Sequence, residues 1–291
     1  MAAFGSVSTG SVENDANLSI TKPTGLAEGD LLVGFLFQIG QGSAWTTPTD
    51  WDAITGVSFS TSRRLDVFAK LADAADVAAA DFTFNQIDAS GVTKTGVLYR
   101  ITGTLAGAEN ITASTSDIGT EVADDEPRYA TGIVNVANAL MIMFSGGAVT
   151  NNGTSTVSGY LIENDNPTWT ERADFGFAAS VDSRCGSATA TRTAVTNTGY
   201  YQVDYNSTDN LGTGSVGALL AISDTANVTV SPDVVATEIT MPAPTVAAGA
   251  TVSADTIAAE ISIKAPTVAT ADAKWSNQAK NSSVWTNQDK S

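Results

Sequence analysis

The sequence has no histidine and a single cysteine, Cys185. Without histidine there can be no Ser-His-Asp triad, no Cys-His dyad, no His-ligated zinc and no HExxH metalloprotease centre. One cysteine excludes internal disulfides, Cys-cluster zinc sites and Cys-ligated iron–sulfur clusters. Cations are scarce as well: 14 Lys and Arg face 31 Asp and Glu, for a net charge of −17. Such a chain lacks the cationic face that a phosphate backbone requires, so no nucleic-acid partner is expected. No apolar run approaches the roughly 18 residues of a membrane span. The longest, residues 31–37, is interrupted by Gly34, and no membrane insertion is expected. The N-terminus, MAAFGSVSTGSVENDANL, has neither a basic region nor an apolar one of the secretory kind. The expectation is therefore assembly in a cytoplasm. Nothing singles out a carboxylate pair for glycoside hydrolysis among the 31 acidic residues. The chain is expected to be no enzyme and to use neither cofactor nor metal.

What is present is a β-forming sequence. Hydrophobic residues make up 43% and charged residues 15%, enough apolar side chain for a core and too little charge for a disordered segment. Short runs of Val, Ile, Leu, Phe and Thr alternate with Gly, Asn, Asp and Pro clusters. Strands are expected at 18–21, 30–37, 65–71, 82–85 and 96–102. A second set is expected at 131–136, 139–144, 169–172, 188–192, 201–205 and 216–222. Residues 69–80, AKLADAADVAAA, read as a strand end, a short helical or turn connection and a new strand.

The order of segments repeats. GDLLVGFLF (29–37), PTDWDAIT (48–55) and TGVLYRITG (95–103) are echoed by NALMIMFSGG (138–147), NPTWTERAD (166–174) and SVGALLAIS (215–223). The fold class expected is all-β: a duplicated or pseudo-duplicated antiparallel β-sandwich, jelly-roll-like, followed by an extended β-rich repeat tail. Its first half is placed at 1–126 and its second at 127–224. Trp51 and Trp169 then occupy matching positions, packed in the core or against a turn.

Beyond residue 224 the style changes. VVATEITMPAPTV (234–246) matches TIAAEISIKAPTV (256–268) with a period of 22, giving an extended segment at 225–273. WSNQAKNSS (275–283) and WTNQDKS (285–291) then repeat with a period of 10, within a tail at 274–291. Prolines at 242, 244 and 266 cannot donate ladder hydrogen bonds and belong at strand ends or edges. Units this small bury no core alone. Two tryptophans on such a peptide need pockets, and burying each contributes about 2–3 kcal/mol. The tail is therefore expected to dock between subunits through Trp275, Asn277, Gln278, Lys280, Trp285, Asn287, Gln288 and Lys290. Residues 274–291 carry Lys274, Lys280 and Lys290 against Asp289, which suits an acidic partner.

KPTGLAEGDLLVGFLF (22–37), TTPTDWDAI (46–54) and TGVLYRITG (95–103) resemble β-sandwich domains in structural and tail-associated proteins of tailed bacteriophages. In those proteins a Pro-x-Gly-x-x-x-Gly-Asp-Leu-Leu stretch precedes a Pro-x-Gly-Trp turn; here Asp50 stands where glycine often precedes the tryptophan. The Ala-Pro-Thr-Val repeats and the Trp-Thr-Asn-Gln-x-Lys ending are similar to tails on such proteins. The resemblance implies a structural virion component, foremost a tail fibre or tail-associated adhesion protein anchored by its C-terminal repeats. Capsid decoration and a glycan-binding module without structural role are the alternatives. It also implies self-association, as a trimer by analogy with phage appendages, contact with other virion proteins, and location in the virion.

Aromatic side chains are the best sugar-contacting groups in a histidine-free protein. Trp45, within GQGSAWTTP, is expected on an exposed loop. Adjacent Tyr200 and Tyr201 must point to opposite strand faces. These three are the expected contacts to a host-surface glycan. The acidic groups Asp124-Asp125-Glu126 and Glu28 with Asp30 read as solvated loops rather than calcium sites, and Cys185 as a small buried residue.

Overall fold

The computed structural model describes residues 1–224 except 41, 60–61, 87–91, 119–126, 131–137, 150–155, 164–166, 178–181, 194–199 and 207–210. The chain divides into two units, Met1–Val228 and Thr229–Ser291. The C-terminal repeats and the 274–291 tail with all its docking residues lie outside the described residues. So do the strand expected at 131–136 and the acidic group at 124–126.

The first half forms one antiparallel sheet in the order β1 (Ala3–Glu13), β7 (Thr93–Thr102), β3 (Leu31–Ile39), β5 (Arg63–Leu71), β4 (Asp52–Phe59). The second half forms another in the order β8 (Ile111–Ile118), β15 (Leu211–Ser223), β10 (Ala139–Val149), β13 (Asp182–Arg192), β12 (Thr170–Phe177). Counted from the start of each half, with β11 (Thr156–Ile162) left out, the two sheets share one strand order. Two small sheets accompany them. In one, β2 (Asn17–Thr21) pairs with β6 (Asp81–Asn85); in the other, β14 (Tyr200–Asn206) lies between β9 (Arg128–Ala130) and β11 (Thr156–Ile162). The chain passes from the first large sheet to the second between Thr102 and Ile111, ahead of the 126/127 division read from the sequence.

All nine residues of β3 are buried, which a sheet with one wet face cannot produce. Both faces are covered, as the near-continuous apolar run requires. On one face Val33, Phe35 and Tyr99 pack with Ile142, Phe144 and Leu220 of the other large sheet. On the opposite face Leu32, Leu36 and Leu98 pack with Leu18, Ile20, Phe82 and Phe84 of a small sheet. The second large sheet does likewise: Met141, Met143 and Leu219 meet Tyr129, Val203 and Tyr205. The result is four layers, small–large–large–small. Each fully buried Leu, Ile or Phe contributes about 1.5–3 kcal/mol.

The central interface is self-complementary. Phe35 and Phe144, which face each other from the middle strands of the two large sheets, stack with centroids 5.2 Å apart and planes at 16°. Phe37 lies over Gly146, where a Cβ would come within 2.9 Å of the ring. The open edges also meet across the layers. Thr55 Oγ1 of β4 lies 3.1 Å from Thr115 Oγ1 of β8, and Arg172 of β12 stands 3.9 Å above the ring of Phe4 on β1.

The Pro-x-Gly-x-x-x-Gly-Asp stretch acts as a structural clasp. Gly25 and Gly29 have φ of 74° and 86°, a region that favours glycine. The Asp30 carboxylate accepts from the Ala27 amide at 2.8 Å and from Arg100 Nε at 2.6 Å. Asp50 has a φ of 64°, so the position before Trp51 uses the left-handed backbone that glycine supplies without cost and Asp tolerates. The connection at 69–80 resolves as expected into the end of β5, a helix α1 (Ala74–Ala78) and β6. A capping box between Asp73 and Asp76 starts that helix, and Lys70 Nζ lies 3.0 Å from Asp76. Among the described residues, no helix is long and apolar enough to cross a membrane.

Candidate functional site

Of the aromatic residues expected to meet a glycan, two are enclosed. Trp45 is 4% exposed and belongs to the outer core of the first half. Its amide donates to Asp66 Oδ2 at 3.0 Å, its backbone bridges to Gln86, and Lys94 Nζ lies 5.9 Å from its ring centroid. The expectation of an exposed loop is thus corrected. The GQGSA segment is polar, but the ring it carries closes the rim of the small sheet. Tyr201 is 0% exposed and stacks on Tyr129 at 4.9 Å. Tyr200 is half-buried on the opposite face, with the Arg128 guanidinium 5.0 Å over its ring. Strand alternation decides this pair as expected.

Trp51 and Trp169 each precede an edge strand of a large sheet but differ in cover. Three residues beyond each tryptophan the edge strand slips register: the pairing shifts between Ala53 and Thr55 in the first half and between Glu171 and Ala173 in the second. Trp51 is 9% exposed and meets Phe82 and Phe84 edge-on, at 6.0 and 5.4 Å. Trp169 is only partly buried. Its aromatic neighbour is Tyr160, 6.4 Å away and tilted by 37°.

Tyr160 comes from β11. In the first half the corresponding contact at the rim of the small sheet is the isolated bridge between Trp45 and Gln86; in the second it has grown into a seven-residue strand. β11 is itself irregular. Its register against β14 shifts between Ser158 and Leu161, and Gly159 has a φ of 59°. Gly186 of β13 makes room beneath it, since a Cβ there would fall 2.3 Å from Val157 and 2.7 Å from Tyr160 Oη.

Between β11 and the start of β12 lies a cavity of about 440 Å³, lined by Ser158, Tyr160, Pro167, Thr168, Trp169 and Glu171. Trp169 Nε1 and Tyr160 Oη are buried and have no hydrogen-bond partner among the described residues. The Glu171 carboxyl sits above its usual range, first through desolvation and then through repulsion from Asp174. Asp174 is raised too, mainly by desolvation. Burial raises the Tyr160 phenol strongly, with the Glu171 charge adding to it, so this hydroxyl stays protonated.

Elsewhere several charged groups are committed to the fold. Arg64 Nε donates to both Asp66 oxygens, at 3.0 and 2.9 Å, and Asp30 and Asp76 are engaged by Arg100 and Lys70. Asp30 is therefore a buried clasp residue and not the solvated-loop carboxylate expected from the sequence. Cys185 is buried, accepts or shares a contact of 3.2 Å with Thr95 Oγ1, and burial pushes its thiol up to about 12. Tyr160, Ser158 and Glu171 were not legible as site residues. Only the Pro-Thr-x-Trp echo pointed to this place, through Trp169. No family model, curated protein or solved structure matches the chain.

Proposed function

We propose that the protein is a structural and adhesive component of a tailed-bacteriophage particle, with a duplicated jelly-roll-like head and a C-terminal repeat segment that docks it. The observation that carries this reading is what the phage-like stretch does in the fold. Gly25, Gly29 and Asp30 build a strand clasp with Arg100, and Trp51 seals the outer core. The residues that carry the resemblance are thus a signature of the architecture. Duplication is supported by the shared strand order and by the register slip three residues after each of Trp51 and Trp169. A stack of facing phenylalanines from the two central strands is what a two-fold arrangement of like units produces at its axis.

Self-association is assigned to the tail. Trp275 and Trp285 are its anchors, each followed by Asn-Gln and a lysine. Light scattering on the full chain is expected to report an oligomer, a trimer by analogy with phage appendages. Removing residues 274–291 is expected to yield monomers and to abolish co-sedimentation with particles. Unchanged assembly and unchanged particle binding of the shortened chain would refute the docking role.

A further inference from the structure

We propose that the cavity between β11 and β12 is a binding site for a neutral saccharide unit. Its size, about 440 Å³, falls in the range of small-molecule sites, roughly 300–1,000 Å³. Its lining combines two aromatic residues, two hydroxyl side chains and one carboxylate. That is the chemistry of a ring with one apolar face and a rim of hydroxyls. The aromatic surface takes the C–H face, and the Glu171 carboxylate accepts from hydroxyls in charge-assisted hydrogen bonds.

The first half provides an internal control. There Trp45, Trp51, Phe82 and Phe84 fill the corresponding outer core, at 4, 9, 8 and 1% exposure. The second half keeps Trp169 but leaves it partly uncovered. It lengthens a one-residue bridge into β11 and places irregular backbone on both sides of the opening. Bulges of this kind re-aim side chains and recur beside functional sites. Nothing in the requirements of the core explains the change, because the first half packs without it.

Charge selects the class of sugar. Residues 1–224 hold 25 acidic and 10 basic side chains, and Glu171 lines the cavity itself. Sialylated, sulfated and phosphorylated ligands would meet repulsion. A second cavity, of about 520 Å³, shares Pro167 and Thr168 with the first and reaches Phe4 and Arg172. It offers room for a further sugar unit, so oligosaccharides should bind more tightly than single sugars. A saccharide site of this kind needs no assumption about where the head is mounted, so its failure would leave the virion proposal standing.

The test uses the full chain on an array of neutral hexose and N-acetylhexosamine mono- to tetrasaccharides, with sialylated and sulfated glycans as a counter-panel. Hits are titrated by calorimetry. Binding to neutral members is expected. Glu171→Gln should weaken it by about tenfold or more, the scale of one charged hydrogen bond. Trp169→Ala should weaken it further, while Asp81→Asn, at an exposed position of β6 outside both cavities, should leave it unchanged. Glu171 is exposed, so its variant keeps the fold even if Trp169→Ala does not. Three results would each overturn the proposal: no neutral glycan bound at millimolar concentration, binding confined to charged glycans, or neutral binding that Glu171→Gln leaves intact.

Discussion

Replacing Phe144 by alanine tests whether the two halves of the head are one cooperative body. The ring is 0% exposed and stacks on Phe35, 5.2 Å away. Truncating a buried phenylalanine costs about 3–5 kcal/mol, because the transfer term is lost and a cavity remains. The stacking itself accounts for about 0.5–1.5 kcal/mol of that. The central core contains residues of both large sheets, so neither sheet can open without exposing the other. Native-state hydrogen exchange, read by mass spectrometry on peptides covering β3 and β10, reports the opening free energy of each. The variant should lose protection in both peptides alike, by about a hundredfold or more, since about 1.4 kcal/mol is a factor of ten. If β10 loses that protection while β3 keeps its own, the halves open separately and the single-core account is wrong.

Two further outcomes follow from the ionic groups. Arg64→Ala leaves the Asp66 carboxylate, whose side chain is 8% exposed, with the Trp45 amide as its remaining donor, and should cost about 1.5–3 kcal/mol in urea denaturation. Adding Asp66→Asn should restore part of the loss; a double variant no better than the single one would show that the charge is not the cause. Asp174 and Glu171 have raised folded-state pKa values. The folded state therefore holds their protons more tightly, and their penalty is complete at neutral pH and lifts as pH falls through the raised values. Asp174→Asn should raise the melting temperature at about pH 7 and match the parent at about pH 3, below the ordinary Asp range, as protonated Asp and Asn are both neutral. An equal gain at both pH values would point to packing instead.

The local signals in the sequence were enough for the strand class. Leu31–Ile39, Thr93–Thr102 and Leu211–Ser223 carry long apolar or β-branched content and became central strands. The continuity of residues 31–37, without polar alternation, required cover on both faces. The edge strands were harder to read. Ala3–Glu13 is Gly, Ser and Thr with a few apolar residues, and Thr156–Ile162 is short and bounded by polar loops. Such strands are held by a partner's ladder and by one half-covered face, so their propensity is weak and their neighbours decide.

The sequence by itself determined the absence of histidine, the apolar and β-branched runs that make strands, and the repeated order of segments that sets Trp51 against Trp169. Those are consequences of residue type and of contacts close along the chain. Only the tertiary structure decided which aromatic rings are covered. Trp45 looked exposed and is enclosed, while Trp169 looked like a core residue and borders an open cavity. The difference comes from strands distant in sequence. Phe82 and Phe84 close over Trp51, whereas β11 and the register slip of β12 hold the space beside Trp169 open. Burial is a property of what packs on top of a side chain, and no local pattern records that.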